Sequence, residues 1–377
     1  MIELPVPEGE QDAERLLKEL PNRPAVFLLW PREGNPYLAR TNVLRRRVGR
    51  LLRRREAPSR SLNLRGTVER IEYALTGSRL EGQFVLWEQA RRHFPGNYRE
   101  IVRIRLPYYA KLILSNAFPR TQVTSRLGRA RAVYVGPFRN RSTAVEFEAR
   151  CLDLFQLRRC EDDLTPNPEH PGCMYGEMGK CLRPCQMAVG GDEYLGEAAR
   201  VADFLRTGGK SLLEPAANAR DRLSAELDFE GAALMHERCR RIEEAVGARD
   251  EMARDVERLH GIAVLPSAEE DAIELGWLRA GNWGGFARLD FESRDGNPVS
   301  LDARVRELSS AVRPESAPHA ARVEQLAILS RWFYSSWRDG EMLIFDDWEK
   351  IPYRKLVNAI SRVAAEQKRK PTRDIPR

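Results

Sequence analysis

The sequence predicts a multidomain α/β protein: a small α/β domain at 1–100, a cysteine-rich metal-binding domain at 101–210, a helical hairpin at 211–246, an α+β domain at 247–345, and a C-terminal helix with a polar tail at 346–377. Three observations lead there. At 377 residues the chain is too long for one ordinary core and suits roughly two to four domains. Short runs of strand character interleave with longer runs of helical period. Between them lies the spacing C-x12-C-x7-C-x3-C, formed by Cys160, Cys173, Cys181 and Cys185.

Taken in order, residues 12–20 carry a helical pattern, 25–30 a continuous apolar strand, 32–35 a turn, and 37–38 a second short strand before an arginine-rich helix. Residues 66–75 read as a strand and 80–93 as a helix that Pro95 ends, because proline lacks the N–H that a further turn needs. The next block holds a strand at 132–136, a helix at 142–155 and the cysteine segment. Residues 212–246 read as two helices in a hairpin, with Leu223, Leu227, Ala233, Leu234 and Ile242 as an apolar seam. Beyond them, 272–278 and 285–291 alternate like strands and 322–337 read as a helix. The tail with Lys368, Arg369, Lys370 and Arg373 has the composition of a disordered segment. Trp277, Trp283, Phe286, Trp332, Phe333, Tyr334 and Trp337 could form a stacking surface for unpaired bases, although aromatics at such positions more often fill a core.

The arginine-rich helix follows from one uneven stretch of charge. Arg40, Arg45, Arg46, Arg47, Arg50, Arg53, Arg54 and Arg55 occur with no acid between Asn35 and Arg55. Leu44, Val48, Leu51 and Leu52 recur among them at helical spacing, which buries one stripe and leaves guanidinium groups on the rest. Such a surface attracts phosphates, and Arg45, Arg46, Arg50 and Arg53 are the candidate DNA contacts; the alternative is a solvated face with no partner. The formal net charge is +7. No apolar run approaches the roughly 18 residues that cross a bilayer, and the first ten residues lack the basic and apolar regions of a signal peptide, so the expectation is a soluble, cytoplasmic protein.

Four soft thiolates among Pro171, Gly172, Gly179 and Pro184, residues that fold a backbone back on itself, suit one tetrahedral metal or iron-sulfur site. A 4Fe-4S cluster and a structural zinc both remain open, as do disulfides in an oxidising compartment and unrelated buried thiols. Cys151 and Cys239 lie within amphipathic helical patterns and are expected in the core.

At several points these residues resemble those of one family. The run from Val133 to Phe138, then Leu157-Arg158-Arg159-Cys160, and the segment ending Gly179-Lys180-Cys181-Leu182-Arg183-Pro184-Cys185 resemble the bacterial UvrC excinuclease family. Leu227-Asp228-Phe229-Glu230-Gly231-Ala232-Ala233 is similar to the UVR motif, through which UvrC proteins dock on their partner UvrB. Ala25-Val26-Phe27 and Tyr37-Leu38-Ala39 occupy the places of the two strands that name the GIY-YIG nuclease fold. The resemblance therefore implies a GIY-YIG-like first domain, a UVR hairpin whose Leu227, Phe229, Glu230 and Ala233 face a UvrB-like protein, and a linker-like region from about 261 to 345. No histidine follows His319 and no glycine follows Gly340, so it covers the N-terminal half of the family only, without the RNase H-like and helix-hairpin-helix parts.

In that nuclease fold two tyrosines position the attacking water, an arginine stabilises the phosphate charge and a glutamate holds Mg2+ or Mn2+. The second tyrosine matches Tyr37, its basic neighbour Arg40, and the arginine Arg47. The first tyrosine matches Phe27, a further helix tyrosine falls at Leu51, and the second-strand glycine becomes Ala39. Leu86 stands at the glutamate position, and Glu88 could replace it only if the register slips by two residues, which turns a helical side chain by about 200°. A hard cation needs oxygen donors, and leucine offers none. The resemblance implies a nucleotide-excision-repair protein that binds DNA and UvrB with an impaired nuclease site. The alternatives are an active single-incision excinuclease using Tyr37, Arg47 and Glu88, and an Fe-S redox or DNA-charge sensor.

Overall fold

The computed structural model describes residues 1–53, 62–291, 300–311 and 317–369; Arg54, Arg55, Lys370 and Arg373 lie outside them. The first domain is an antiparallel sheet of β1 (Ile2–Pro5), β2 (Ala25–Pro31), β3 (Tyr37–Thr41) and β4 (Val68–Leu75), in the spatial order β1-β4-β2-β3. Residues 25–29 of β2 are all buried because helices cover both faces. Two helices, α1 (Glu10–Glu19) and α2 (Leu44–Leu52), pack with Phe27, Leu29, Tyr37 and Ala39 on one face. The apolar stripe of α2 is buried as its spacing predicts. On the other face α3 (Arg79–His93) packs against Val26 and Leu38. A capping box starts α3: Ser78 Oγ accepts from the Glu81 N–H at 3.0 Å, and the Glu81 carboxylate accepts from the Gly77 N–H at 2.7 Å.

A short α4 (Tyr98–Val102) leads into a second antiparallel sheet, β5 (Tyr108–Ile113), β6 (Arg120–Thr124), β7 (Ala132–Phe138) and β8 (Arg254–Asp255), ordered β6-β5-β7-β8. One face of it, with Ala110, Leu112, Val133 and Val135, is buried by α5 (Arg141–Leu152) and α7 (Gly191–Thr207). The cysteine segment joins those helices and contains one short α-helix, α6 (Met174–Glu177), and a single 3-10 turn at Pro184–Gln186. The predicted hairpin forms as α8 (Lys210–Ala225) and α9 (Phe229–Gly247). Ala216, Cys239, Ile242 and Ala245 at its base lie in the same core as α5 and α7. Cys151 and Cys239 are buried there, as their helical patterns predict. The predicted seam does not form along its whole length. Ile242 is buried and Leu223 half-buried, but Leu227, Ala233 and Leu234 are exposed, because among the described residues no third layer covers the two-helix unit towards its tip.

The last domain is the antiparallel sheet β9 (His260–Pro266), β10 (Ala272–Arg279), β11 (Asn282–Asp290) and β12 (Glu341–Phe345), ordered β11-β10-β9-β12. On one face α10 (Leu301–Ala311) and α12 (Tyr353–Arg369) pack with Ile262, Val264, Ile273 and Leu275. On the other, α11 (His319–Phe333) packs with Ala263 and Leu265. Lys368 and Arg369, expected in a disordered tail, form the last turn of α12, whose Leu356, Ala359, Ile360 and Val363 are buried in this domain. The aromatics offered as a stacking surface are core instead: Trp277, Trp283, Trp332 and Phe333 are buried, and Phe286, Tyr334 and Trp337 are half-buried.

The domains share one apolar cluster. Leu80, Phe84, Leu86 and Trp87 of α3, Tyr109 and Tyr134 of the second sheet, and Leu326, Leu329 and Trp332 of α11 all contribute. Phe84 lies stacked on Trp283 at 4.7 Å between ring centroids. Within it the Glu324 carboxylate, 3% exposed, accepts from Trp87 Nε1 at 2.9 Å, Tyr98 Oη at 2.7 Å and Arg99 Nε at 2.8 Å. A β-carbon on Gly77 would lie 2.1 Å from the Ser267 carbonyl carbon, so backbone meets backbone where the first and last domains touch.

This junction can be tested at two carboxylates. Glu324→Ala strands a buried indole N–H and a phenol, and should lower stability by about 2–4 kcal/mol in urea unfolding; a change under about 0.5 kcal/mol would contradict the clamp. Burial, opposed by the bonds from Gly77 and Ser78, raises the Glu81 pKa to about 7. A carboxyl whose folded pKa is raised binds protons more tightly in the native state, so its contribution falls as pH rises from about 4.5 to about 7 and is level above. Glu81→Gln keeps an acceptor for Gly77 without the charge. Its urea midpoint should match the wild type near pH 4.5 and exceed it above pH 7, and equal midpoints at both would refute the linkage.

Candidate functional site

In the first domain strand alternation sorts the candidate nuclease residues onto two faces. β2 and β3 pair Phe27 with Ala39 and Leu29 with Tyr37, which puts these four on the side of α2. Arg47, one turn into α2, donates from Nη2 to Tyr37 Oη at 2.8 Å. The Phe27 ring is fully buried beside them, 6.1 Å from that of Tyr37, and Leu51 is buried in the same cluster. Arg40 pairs with Val26 and faces the other way. Its Nη1 donates to the Arg79 carbonyl at 3.1 Å, and desolvation, then the Arg79 charge, lower its pKa. Leu86 is buried in the shared cluster and Glu88 is exposed; both belong to α3, behind the sheet. Tyr37 and Arg47 are thus brought together, with Phe27 alongside, whereas Arg40, Leu86 and Glu88 are on the far side.

Arg45, Arg46, Arg50 and Arg53 are exposed along α2 and its end. They are not equivalent. Arg45 Nε donates to the Leu20 carbonyl at 2.7 Å, so this side chain ties α2 to the end of α1 as well as facing solvent.

The cysteine segment is held by a buried residue that spacing does not reveal. Arg158 is 2% exposed; its Nε donates to the Phe118 carbonyl at 3.0 Å, its Nη1 to the Asp162 carbonyl at 2.8 Å, and its backbone N–H to Tyr194 Oη at 3.1 Å. The available signal was a charged residue immediately after apolar Leu157. Cys181 and Cys185 are buried, Cys160 is half-buried and Cys173 exposed. Burial raises the Cys181 pKa; the Arg183 N–H opposes the shift, and Cys173, Cys160 and Cys185 add to it. Two donors point at sulfur: the Arg183 N–H to Cys181 Sγ at 3.4 Å and Arg158 Nη1 to Cys160 Sγ at 3.5 Å. This donor chemistry suits thiolate ligation of zinc or iron. Yet among the described residues no three His, Cys, Asp or Glu side chains are drawn together as a metal cage.

At the hairpin tip Leu227 is 71% exposed and Phe229 and Leu234 are each 68% exposed, with Glu230 and Ala233 exposed beside them. Asp228 shapes the tip by capping α9, its carboxylate accepting from the Gly231 N–H at 2.9 Å. Among the described residues no helix is long and apolar enough to cross a membrane.

The family "UvrC/Cho excinuclease, middle domain" matches residues 108–204, the second sheet through α7. UvrABC system protein C of Moorella thermoacetica is 27% identical over 343 residues, covering 90% of this chain and 52% of its own. Its counterpart in Dehalococcoides mccartyi is 24% identical over 362 residues, covering 93% and 58%. The chain spans about half the length of the curated relatives it matches. No solved structure matches. A family-specific middle domain at residues 108–204, flanked on both sides by segments that align with UvrC proteins over nine tenths of the chain at 24–27% identity, supports kinship with the UvrC family.

Proposed function

We propose that this protein is a nucleic-acid-binding member of the excision-repair system whose nuclease-like domain grips a phosphate without cutting it. The observation that carries the reading is the pairing of Arg47 with Tyr37 beside a buried Phe27. A guanidinium and a phenol together can hold a phosphate oxygen. Activating a water needs a second hydroxyl and a cation, and Phe27 supplies no oxygen while Leu86 is turned into an apolar cluster. Groups of this kind each contribute about 10² to 10⁴ in rate. The exposed arginines of α2 extend the grip along a polyanion.

The apolar hairpin tip supports docking on a UvrB-like protein through Leu227, Phe229, Glu230 and Ala233. Large apolar side chains at one tip are left exposed by the described residues, and such a patch suits a partner. Cys160, Cys173, Cys181 and Cys185 would hold a 4Fe-4S cluster or a zinc ion, which would cross-link a segment that has little regular structure.

Two experiments test this. In a nicking assay on damaged duplex, with and without UvrB, Mg2+- or Mn2+-dependent incision should lie about 10²-fold or more below that of an intact relative, and Glu88→Gln should change nothing. Robust incision lost in Glu88→Gln would establish the active single-incision enzyme instead. For the cysteines, protein purified without oxygen should be brown, or colourless with one zinc, and Cys173→Ala should lose the bound metal and melt at a lower temperature. Neither iron nor zinc in the intact protein would remove the metal reading.

A further inference from the structure

The middle domain carries an uneven charge that the cysteine and hairpin sites do not explain. From Ile101 to Val145 there is no acid, while Arg103, Arg105, Lys111, Arg126, Arg129 and Arg131 fall within or beside β5 and β6. With 55 acids in 377 residues, a run of that length would ordinarily hold about seven, so the depletion is a property of this segment. Among the described residues none of these six cations forms an ion pair with a carboxylate, although most other regions of the surface are laced with such pairs.

The topology gathers them onto one face. β6 and β7 flank β5 and both run antiparallel to it: Tyr109 lies opposite Thr124, and Ile113 opposite Ala132. The connection from 125 to 131 must therefore cross over β5. It crosses on the face away from α5, because Leu127 is buried in the cluster that holds Tyr109 and Tyr134. The crossing is pinned in three ways. The Leu127 side chain is buried, its carbonyl meets His319 Nε2 at 2.7 Å, and the Gly128 N–H donates to Tyr134 Oη at 3.0 Å. Arg126, Arg129 and Arg131 are held exposed on this fixed crossing. Lys111 leaves β5 on the same face, its Nζ over the Tyr134 ring at 5.5 Å. Arg103 and Arg105 lie just before the end of β5 that Arg126 adjoins, and the Arg103 carbonyl accepts from Arg331 at 3.2 Å.

We infer that this crossover is a second nucleic-acid surface, binding the phosphate backbone without reading sequence. It rests on the reading that the protein binds nucleic acid, and adds a contact region in a different domain from α2. The crossing is about as long as β5, six residues or roughly 20 Å, and so runs beside on the order of ten duplex phosphates. Arginine predominates, and its forked donors match phosphate oxygens. An acidic protein partner fits less well. Apart from Leu106, none of the large exposed apolar side chains of the described residues lies within or beside β5, β6 or the crossover, and protein interfaces are centred on such groups.

The test uses the full chain and an undamaged duplex of mixed sequence, with affinity measured across salt concentration. Arg126→Gln, Arg129→Gln and Arg131→Gln combined should weaken binding and make the plot of log affinity against log salt shallower by about 2 to 3, since each lost phosphate contact removes about 0.9. The matching lysine triple should keep most of the slope. Arg46→Gln with Arg50→Gln should lower the slope independently, so the two sets add. An unchanged slope in the crossover triple, with the α2 variant affected, would overturn the second surface and leave the proposed function standing. No duplex binding by the wild type would overturn both. Duplex binding unaffected but poly-L-glutamate binding lost would assign the crossover to an acidic protein, and would also overturn the inference.

Discussion

A single buried carboxylate organises the junction on which the rest of the molecule depends. Glu324 sits in α11 among alanines, leucines and tryptophan, and a charge there is tolerated only because Trp87, Tyr98 and Arg99 all donate to it. Those donors come from α3 and α4, at the back of the first domain, whereas α11 belongs to the last domain. Around this clamp lies an apolar cluster that also takes in Tyr109, Leu127 and Tyr134 of the middle domain. Three sheets are thereby held through one helix, and the surfaces proposed to meet nucleic acid are carried by parts with little freedom to move independently.

That junction also constrains the face of the first sheet opposite the proposed phosphate grip. α3 presents Leu80, Phe84, Leu86 and Trp87 towards α11 and the last sheet, which is the side of the first sheet opposite Tyr37 and Arg47. A carboxylate at position 86 would be placed in an apolar cluster that bonds two domains together, where ionisation is costly. A leucine at position 86 and the burial of α3 between domains are therefore mutually consistent. The Tyr37–Arg47 pair does not depend on α3, since both residues belong to the α2 side.

Charge shows a parallel division. The arginines of α2 and those of the middle-domain crossover are exposed and supported by apolar contacts beneath them: Val48 and Leu51 in one case, Leu127 in the other. Guanidinium groups crowded on a rigid support repel one another until a polyanion arrives, so the cost of assembling them is met by folding and binding realises the gain. The hairpin tip follows the opposite rule, exposing Leu227, Phe229 and Leu234 on a projecting two-helix unit with few supporting contacts. One chain thus offers basic surfaces suited to a backbone and an apolar tip suited to a protein.

Much of the framework was legible in the sequence where period and composition are local. The strand at 25–31, the stripe of α2, the stop of α3 before Pro95 and the two helices of the hairpin follow from spacing, caps and proline chemistry that need no partner to operate. β6, Arg-Thr-Gln-Val-Thr, was not legible, because an edge strand with every residue half-exposed carries no apolar alternation. Nor could spacing place Arg158 beneath the cysteines or Glu324 in the junction, since a charged residue inside reveals itself only when its partners, remote in sequence, come within hydrogen-bonding distance. By itself the sequence determined the family resemblance, the identity of the residues available at each site and the absence of a hydroxyl at Phe27. Only the tertiary structure decided which of them share a face: strand alternation turns Arg40 away from Tyr37, the domain junction draws Leu86 inward, and a crossover connection gathers the middle-domain cations on one side, because each outcome is set by what packs behind the side chain rather than by its neighbours in the chain.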